Sequence, residues 1–144
     1  MRVITGKCHC ANITYELTWP VATKIIPARV CGCSYCQKHG AAWTSHPDGK
    51  LELGFQDPRA VQNYRFGHHT ADFNICSRCG IVTLASCTID DRLYAVVNVN
   101  TFENVEPDQL QNDATDFKNE NQPGRLARRQ RHWTPTFFAP ADDR

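Results

Sequence analysis

The sequence predicts a mainly β protein of antiparallel architecture, its short strands punctuated by cysteine groups. Three observations carry that reading. Apolar and polar residues alternate over short runs, as at Ile13, Tyr15 and Leu17 against Thr14, Glu16 and Thr18. Two β-branched apolar runs, residues 81–85 and 93–99, flank the turn pair Asp90-Asp91. Cysteines recur in tight groups where strands end. Many short strands with turn residues between them favour an antiparallel architecture.

Taken in order, Arg2–Lys7 reads as a first strand ending at Cys8-His9-Cys10, and residues 12–18 as a half-buried second strand closed by Trp19-Pro20. Residues 24–31 form a third, interrupted at Pro27, that delivers the chain into Cys31-Gly32-Cys33-Ser34-Tyr35-Cys36. Gln37-Lys38-His39-Gly40 predicts one helical turn stopped by glycine. A short segment carrying Trp43 and the turn His46-Pro47-Asp48-Gly49 follow. Lys50–Phe55, residues 61–66 and residues 72–75 are further strands, with Gly67-His68-His69 as a turn and the last strand running into Cys76-Ser77-Arg78-Cys79-Gly80. The extension 104–144 is polar and acidic at first, with Glu106, Asp108, Asp113, Asp116 and Glu120, and residues 107–111 read as a short helix. It then turns basic through Arg125, Arg128, Arg129 and Arg131, the polar face of a terminal helix, and finishes in Phe137-Phe138, Pro140 and a frayed end.

The whole chain of 144 residues is expected to be one domain, long enough for a core of its own. A formal net charge of +1 argues against a dedicated nucleic-acid binder. No apolar run has the length of a membrane span, and the start, Met1 to Lys7, does not read as a secretory signal. The expected setting is therefore the reducing cytoplasm, where clustered cysteines act as metal ligands rather than disulfides.

The 8 cysteines divide as 8/10, 31/33/36, 76/79 and a lone Cys87. Structural zinc takes four protein ligands, commonly all cysteine, and catalytic zinc takes three plus an exchangeable position. Cys8 and Cys10 joined to Cys76 and Cys79 would close one site and clip distant parts of the chain together. Cys31, Cys33 and Cys36 would hold a second ion and leave a position open, unless Cys87, His39, His68 or His69 closes it.

The pattern resembles the glutathione-dependent formaldehyde-activating enzyme family, which includes the centromere protein V type of domain. The resemblance rests on Gly6-Lys7-Cys8-His9-Cys10, Cys31-Gly32-Cys33-Ser34-Tyr35-Cys36, Tyr64-Arg65-Phe66-Gly67, Ile75-Cys76-Ser77-Arg78-Cys79-Gly80 and Val97-Asn98-Val99-Asn100, and covers roughly residues 2–103. It implies an Mss4-like fold of several small antiparallel β-sheets with short helices and zinc knuckles, a structural zinc on Cys8, Cys10, Cys76 and Cys79, and a catalytic zinc on Cys31, Cys33 and Cys36. The implied activity is that of a carbon–sulfur lyase, S-(hydroxymethyl)glutathione synthase, with glutathione and formaldehyde as small-molecule partners.

In that scheme His39, or else His68 or His69, would move the proton of the new hydroxyl. Trp43 would wall the pocket, and Lys38 and Arg65 would hold the carboxylates of an anionic thiol. Two other readings stand beside it: a module binding protein or nucleic acid in which both metals are structural, and a thiol redox or methionine sulfoxide reductase activity with Cys87 as nucleophile. A homodimer contact through the tail is left open.

Overall fold

The computed structural model describes residues 1–115, 117 and 119–140; Asp116 and the chain end beyond Pro140, read above as acidic and frayed, lie outside the described residues. The strands are β1 (Arg2–Lys7), β2 (Ile13–Trp19), β3 (Ile26–Cys31), β4 (Ala42–Thr44), β5 (Lys50–Phe55), β6 (Val61–Tyr64), β7 (Asp72–Cys76), β8 (Val82–Ile89), β9 (Arg92–Asn98), β10 (Leu110–Thr115) and β11 (Thr134–Phe138). The helices are α1 (Ser34–His39) and α2 (Gln122–His132). The fold is mainly β, with the strands joined in the order β1-β2-β5-β11-β9-β4-β3-β10, while β8, β7 and β6 continue from β9. Most pairings are antiparallel; β10 with β3 and β11 with β5 are parallel.

Two apolar layers lie on opposite faces of the β8–β9 hairpin. Ile4, Ile13, Leu17, Leu51 and Leu53 from β1, β2 and β5 pack against Leu84, Ala95 and Val97. Cys36, Trp43 and Trp133 pack against Val82, Ala85, Cys87, Tyr94 and Val96. Along β9, successive side chains enter the two layers alternately, as a pleat requires. That is why its sequence is continuously apolar rather than alternating. Asp90 and Asp91 close the hairpin with φ of 51° and 63°, the paired positive values of a type I′ turn.

Several elements depart from the sequence reading: β6 stops at Tyr64 rather than running to residue 66, β11 is a strand the sequence did not announce, and three others differ as follows. Pro27 lies inside β3 and does not interrupt it. β4 pairs only with Arg29 and Val30, so the stretch around Pro27 needs no ladder bond from that side, and Thr44 Oγ1 donates to the Pro27 carbonyl at 2.6 Å. The short helix expected over residues 107–111 is a 3₁₀ turn at Pro107–Gln109, boxed by Glu106 and Gln109, after which the chain becomes β10. β10 is an edge strand of largely exposed polar side chains, held by pairing with β3 from Leu110↔Ile26 to Thr115↔Cys31. α1 begins at Ser34 rather than after Cys36, so Cys36 sits in its first turn.

Gly6 is opposite Tyr15 in the β1–β2 ladder, and the tyrosine ring lies over it. A Cβ at Gly6 would fall 2.1 Å from Tyr15 Cζ. The ring cannot swing away freely, because Tyr15 is buried and its hydroxyl bonds Thr101 Oγ1 at 2.8 Å. Gly6→Ala is therefore expected to destabilise the protein by about 2–3 kcal/mol through overpacking. Urea titration would show it as a lower midpoint with an unchanged slope, and an unshifted midpoint would contradict the packing described.

Candidate metal centres and the adjoining cavity

The first cysteine group is assembled by two tight turns. After β1, the Cys8 N–H donates to the Ile13 carbonyl at 3.0 Å and the Ala11 N–H to the Cys8 carbonyl at 3.2 Å, with Ala11 at φ 67°. The Ile13 N–H points at Cys8 Sγ, 3.3 Å away. After β7, the Gly80 N–H returns to the Cys76 carbonyl at 2.7 Å, with Gly80 at φ 79°, a value glycine adopts without a Cβ penalty.

The four sulfurs of Cys8, Cys10, Cys76 and Cys79 lie within 4.8 Å of one another. Cys8 and Cys10 are 3.9 Å apart, and Cys10 and Cys76 3.5 Å. A tetrahedron with zinc–sulfur bonds of about 2.3 Å has an edge of about 3.8 Å, so the donor set fits that ion. The electrostatics point the same way. Burial, together with the neighbouring thiols, pushes Cys8 up to about 11. Burial also opposes ionisation of Cys79, but N–H groups of Ile81 and Cys10 and the thiols of Cys76 and Cys8 draw it down to about 6. Four sulfurs this close share protons unless a cation replaces them.

The second group forms where β3 passes into α1. Cys31 ends β3, and the Gly32 N–H donates to the Thr115 carbonyl of β10 at 3.0 Å, fixing the exit of the chain. Cys33 is the N-cap of α1: its sulfur accepts from the Cys36 N–H at 3.4 Å. Gly40 ends the helix at φ 63°. The three sulfurs lie within 4.8 Å of one another, and among the described residues no Cys, His, Asp or Glu joins them as a fourth member. The neighbouring Cys31 thiol and then burial push the Cys36 thiol up, while the Trp43 side chain works the other way.

All three cysteines line a cavity of about 590 Å³. Trp43, Phe66 and Phe73 supply aromatic wall, and His68 and Thr70 come from the loop between β6 and β7. α2 closes the space with Arg125, Arg128 and Arg129, and Arg29 reaches in from β3. The other site residues read from the sequence are placed outside this lining. His39 is exposed, with its ring 4.7 Å from that of Tyr35. Lys38 is exposed on α1. Arg65 is paired with Asp72 at the surface. His69 sits in the turn at φ 55°. Cys87 lies inside β8 at 3% exposure, 3.5 Å from Arg129 Nη1.

Sequence reasoning missed the arginines of the cavity. A signal was present: Arg125, Arg128 and Arg129 stand at i, i+3 and i+4, one side of a helix. Arg29 had none, since only the fold brings β3 beside α2.

The site is that of a β protein with two cysteine groups, one of four thiols and one of three facing a cavity, each of which could hold a metal ion. The chain is a member of the glutathione-dependent formaldehyde-activating enzyme family, whose model matches residues 3–120. It is also similar to the crystal structure of a Rhodobacter sphaeroides protein from structural genomics, at 29% identity and a TM-score of 0.57, over 77% of this chain and 99% of that one. Among the described residues no helix is long and apolar enough to cross a membrane.

Proposed function

We propose that the protein is a zinc-dependent enzyme of carbon–sulfur bond formation and cleavage that joins glutathione to formaldehyde, giving S-(hydroxymethyl)glutathione, in the reducing cytoplasm. The observation that carries this reading is the set of three thiols on a cavity wall with no fourth side-chain ligand among the described residues. Cys31, Cys33 and Cys36 would hold the catalytic ion; Cys8, Cys10, Cys76 and Cys79 would hold the structural one. A zinc ion bound by the three thiols supplies a soft Lewis acid beside which an incoming thiol ionises near neutral pH.

The protein's own groups do the rest. The cavity confines both reactants, so that an encounter in solution becomes a local one. Its aromatic walls limit water around the aldehyde. The carbon–sulfur bond forms between the thiol sulfur and the aldehyde carbon, and the proton lost by the thiol ends on the new hydroxyl; the reverse reaction breaks the same bond. His68 lines the cavity, which supports assigning to it the giving and taking of that proton.

Exchange spectroscopy with ¹³C-formaldehyde and glutathione tests the reading: catalysed exchange is expected with zinc-loaded protein and none with chelated protein. X-ray absorption should show added glutathione bringing one more sulfur to the three-thiol ion, a rise of about half a sulfur in the shell averaged over the two ions. Equal exchange with and without the protein would remove the enzymatic reading. His68→Gln is expected to slow exchange about 10²-fold at unchanged zinc content. An unchanged rate would take His68 out of the proton path.

A further inference from the structure

Arg29 and Arg129 are cations in the cavity wall with no carboxylate partner among the described residues. Arg29 donates to Ser45 Oγ at 2.7 Å. Arg129 is 6% exposed, donates to Thr70 Oγ1 at 2.8 Å and lies 4.8 Å from the centre of the Trp133 ring. Its buried Nε has no partner. Arg125 and Arg128 share a single carboxylate: Arg128 bonds Glu120 through Nε at 3.0 Å and Nη2 at 3.1 Å, while Arg125 Nε stands 3.7 Å from it.

Among the described residues, four guanidinium groups thus meet one carboxylate around one cavity. A guanidinium does not shed its proton to escape burial, so the uncompensated charge calls for an anion. Its planar fork of donors suits a carboxylate. The cavity's size is that of a pocket for a peptide-sized molecule, far more than formaldehyde needs.

We propose that Arg29, Arg125, Arg128 and Arg129 form a carboxylate-binding subsite that selects an anionic thiol, gripping its acid group while its sulfur reaches Cys31, Cys33 and Cys36. The subsite rests on the proposed reaction only for the direction in which the substrate lies. It assigns to α2 and β3 the selection by charge that Lys38 and Arg65 were expected to perform.

The test uses S-methylglutathione, which keeps both carboxylates and has no free thiol, and its dimethyl ester, which has neither carboxylate. Each is titrated calorimetrically into the zinc-loaded full chain. The acid is expected to bind at least about tenfold more tightly than the ester, as hydrogen bonds to charged groups predict. Arg29→Met and Arg129→Met should each shrink that preference to about twofold, with zinc content and melting checked in parallel. Equal affinity for acid and ester, or a preference that survives in both variants, would overturn the subsite. Because the probes cannot react, the outcomes separate: charge preference without formaldehyde exchange supports the subsite and removes the reaction, and exchange without charge preference removes the subsite alone.

Discussion

Cys76→Ser is expected to cost the protein about 5 kcal/mol or more and to leave much of it unfolded under metal-replete conditions. Structural zinc contributes on the order of 10–16 kcal/mol of apparent binding free energy in small domains, and there that energy is folding energy. Here the four-thiol centre fastens the end of β1 to the end of β7, with Cys10 and Cys76 separated by 66 positions in the chain. Cys8 and Cys76 are both at 0% exposure, inside the apolar layer formed by β1, β2 and β5. A serine hydroxyl at 76 is a poor zinc ligand and an unpaired polar group in that layer. Denaturant titration with tryptophan fluorescence would read the loss. Wild-type protein stripped by a chelator should fall to a similar midpoint. A shift below about 1 kcal/mol would mean that the centre is not a structural clip.

Cys33→Ser is expected to behave in the opposite way, with formaldehyde exchange reduced about a thousandfold or more and the fold retained. The loss follows from removing one of three donors around the reacting thiol, the scale on which removal of a reacting group acts. Retention follows from local geometry. Cys33 is the N-cap of α1 and is partly exposed, and serine is among the best N-cap residues. The hydroxyl can accept from the Cys36 N–H in place of sulfur, so the helix keeps its start and the stability change should stay within about 1 kcal/mol, the metal's own contribution aside. Cys33→Ala would lose both donor and cap. Exchange assays beside circular dichroism decide the matter. Unfolding as complete as in Cys76→Ser would make the three-thiol centre structural and favour the binding-module reading.

What could be read from the sequence was what local chemistry encodes. β1 and β5 have the bounds their residues predict, and the burial of Ile13, Tyr15 and Leu17 along β2 follows from alternation with polar neighbours. The grouping of the cysteines follows from spacing, because turns such as 76–80 bring two sulfurs together without help from the rest of the fold. β10 was not legible: its residues are polar on both faces, and a strand defined by its neighbour leaves no apolar signature. β8 runs on through Cys87 to Ile89, beyond the apolar run ending at Ala85, because the hairpin with β9 carries it there. The choice among His39, His68 and His69 was equally hidden, since all lie in turns or at a helix end and only tertiary packing turns His68 to the cavity. The roof formed by α2 belongs to the same class of information: its amphipathic spacing is visible, but the object it covers is not.

The position of β11 has a consequence for biosynthesis. Its first residues pair with β9 and its last with β5, so it is the seam between two groups of strands. Both groups leave the ribosome long before Thr134 does, and each meanwhile presents a free edge of backbone donors and acceptors. Until the seam arrives, the edges of β5 and β9 stay open, although the β1–β2–β5 layer can already pack on the β8–β9 hairpin. Those two edges are where a nascent chain is expected to pair with a neighbour on a polysome before Thr134 emerges.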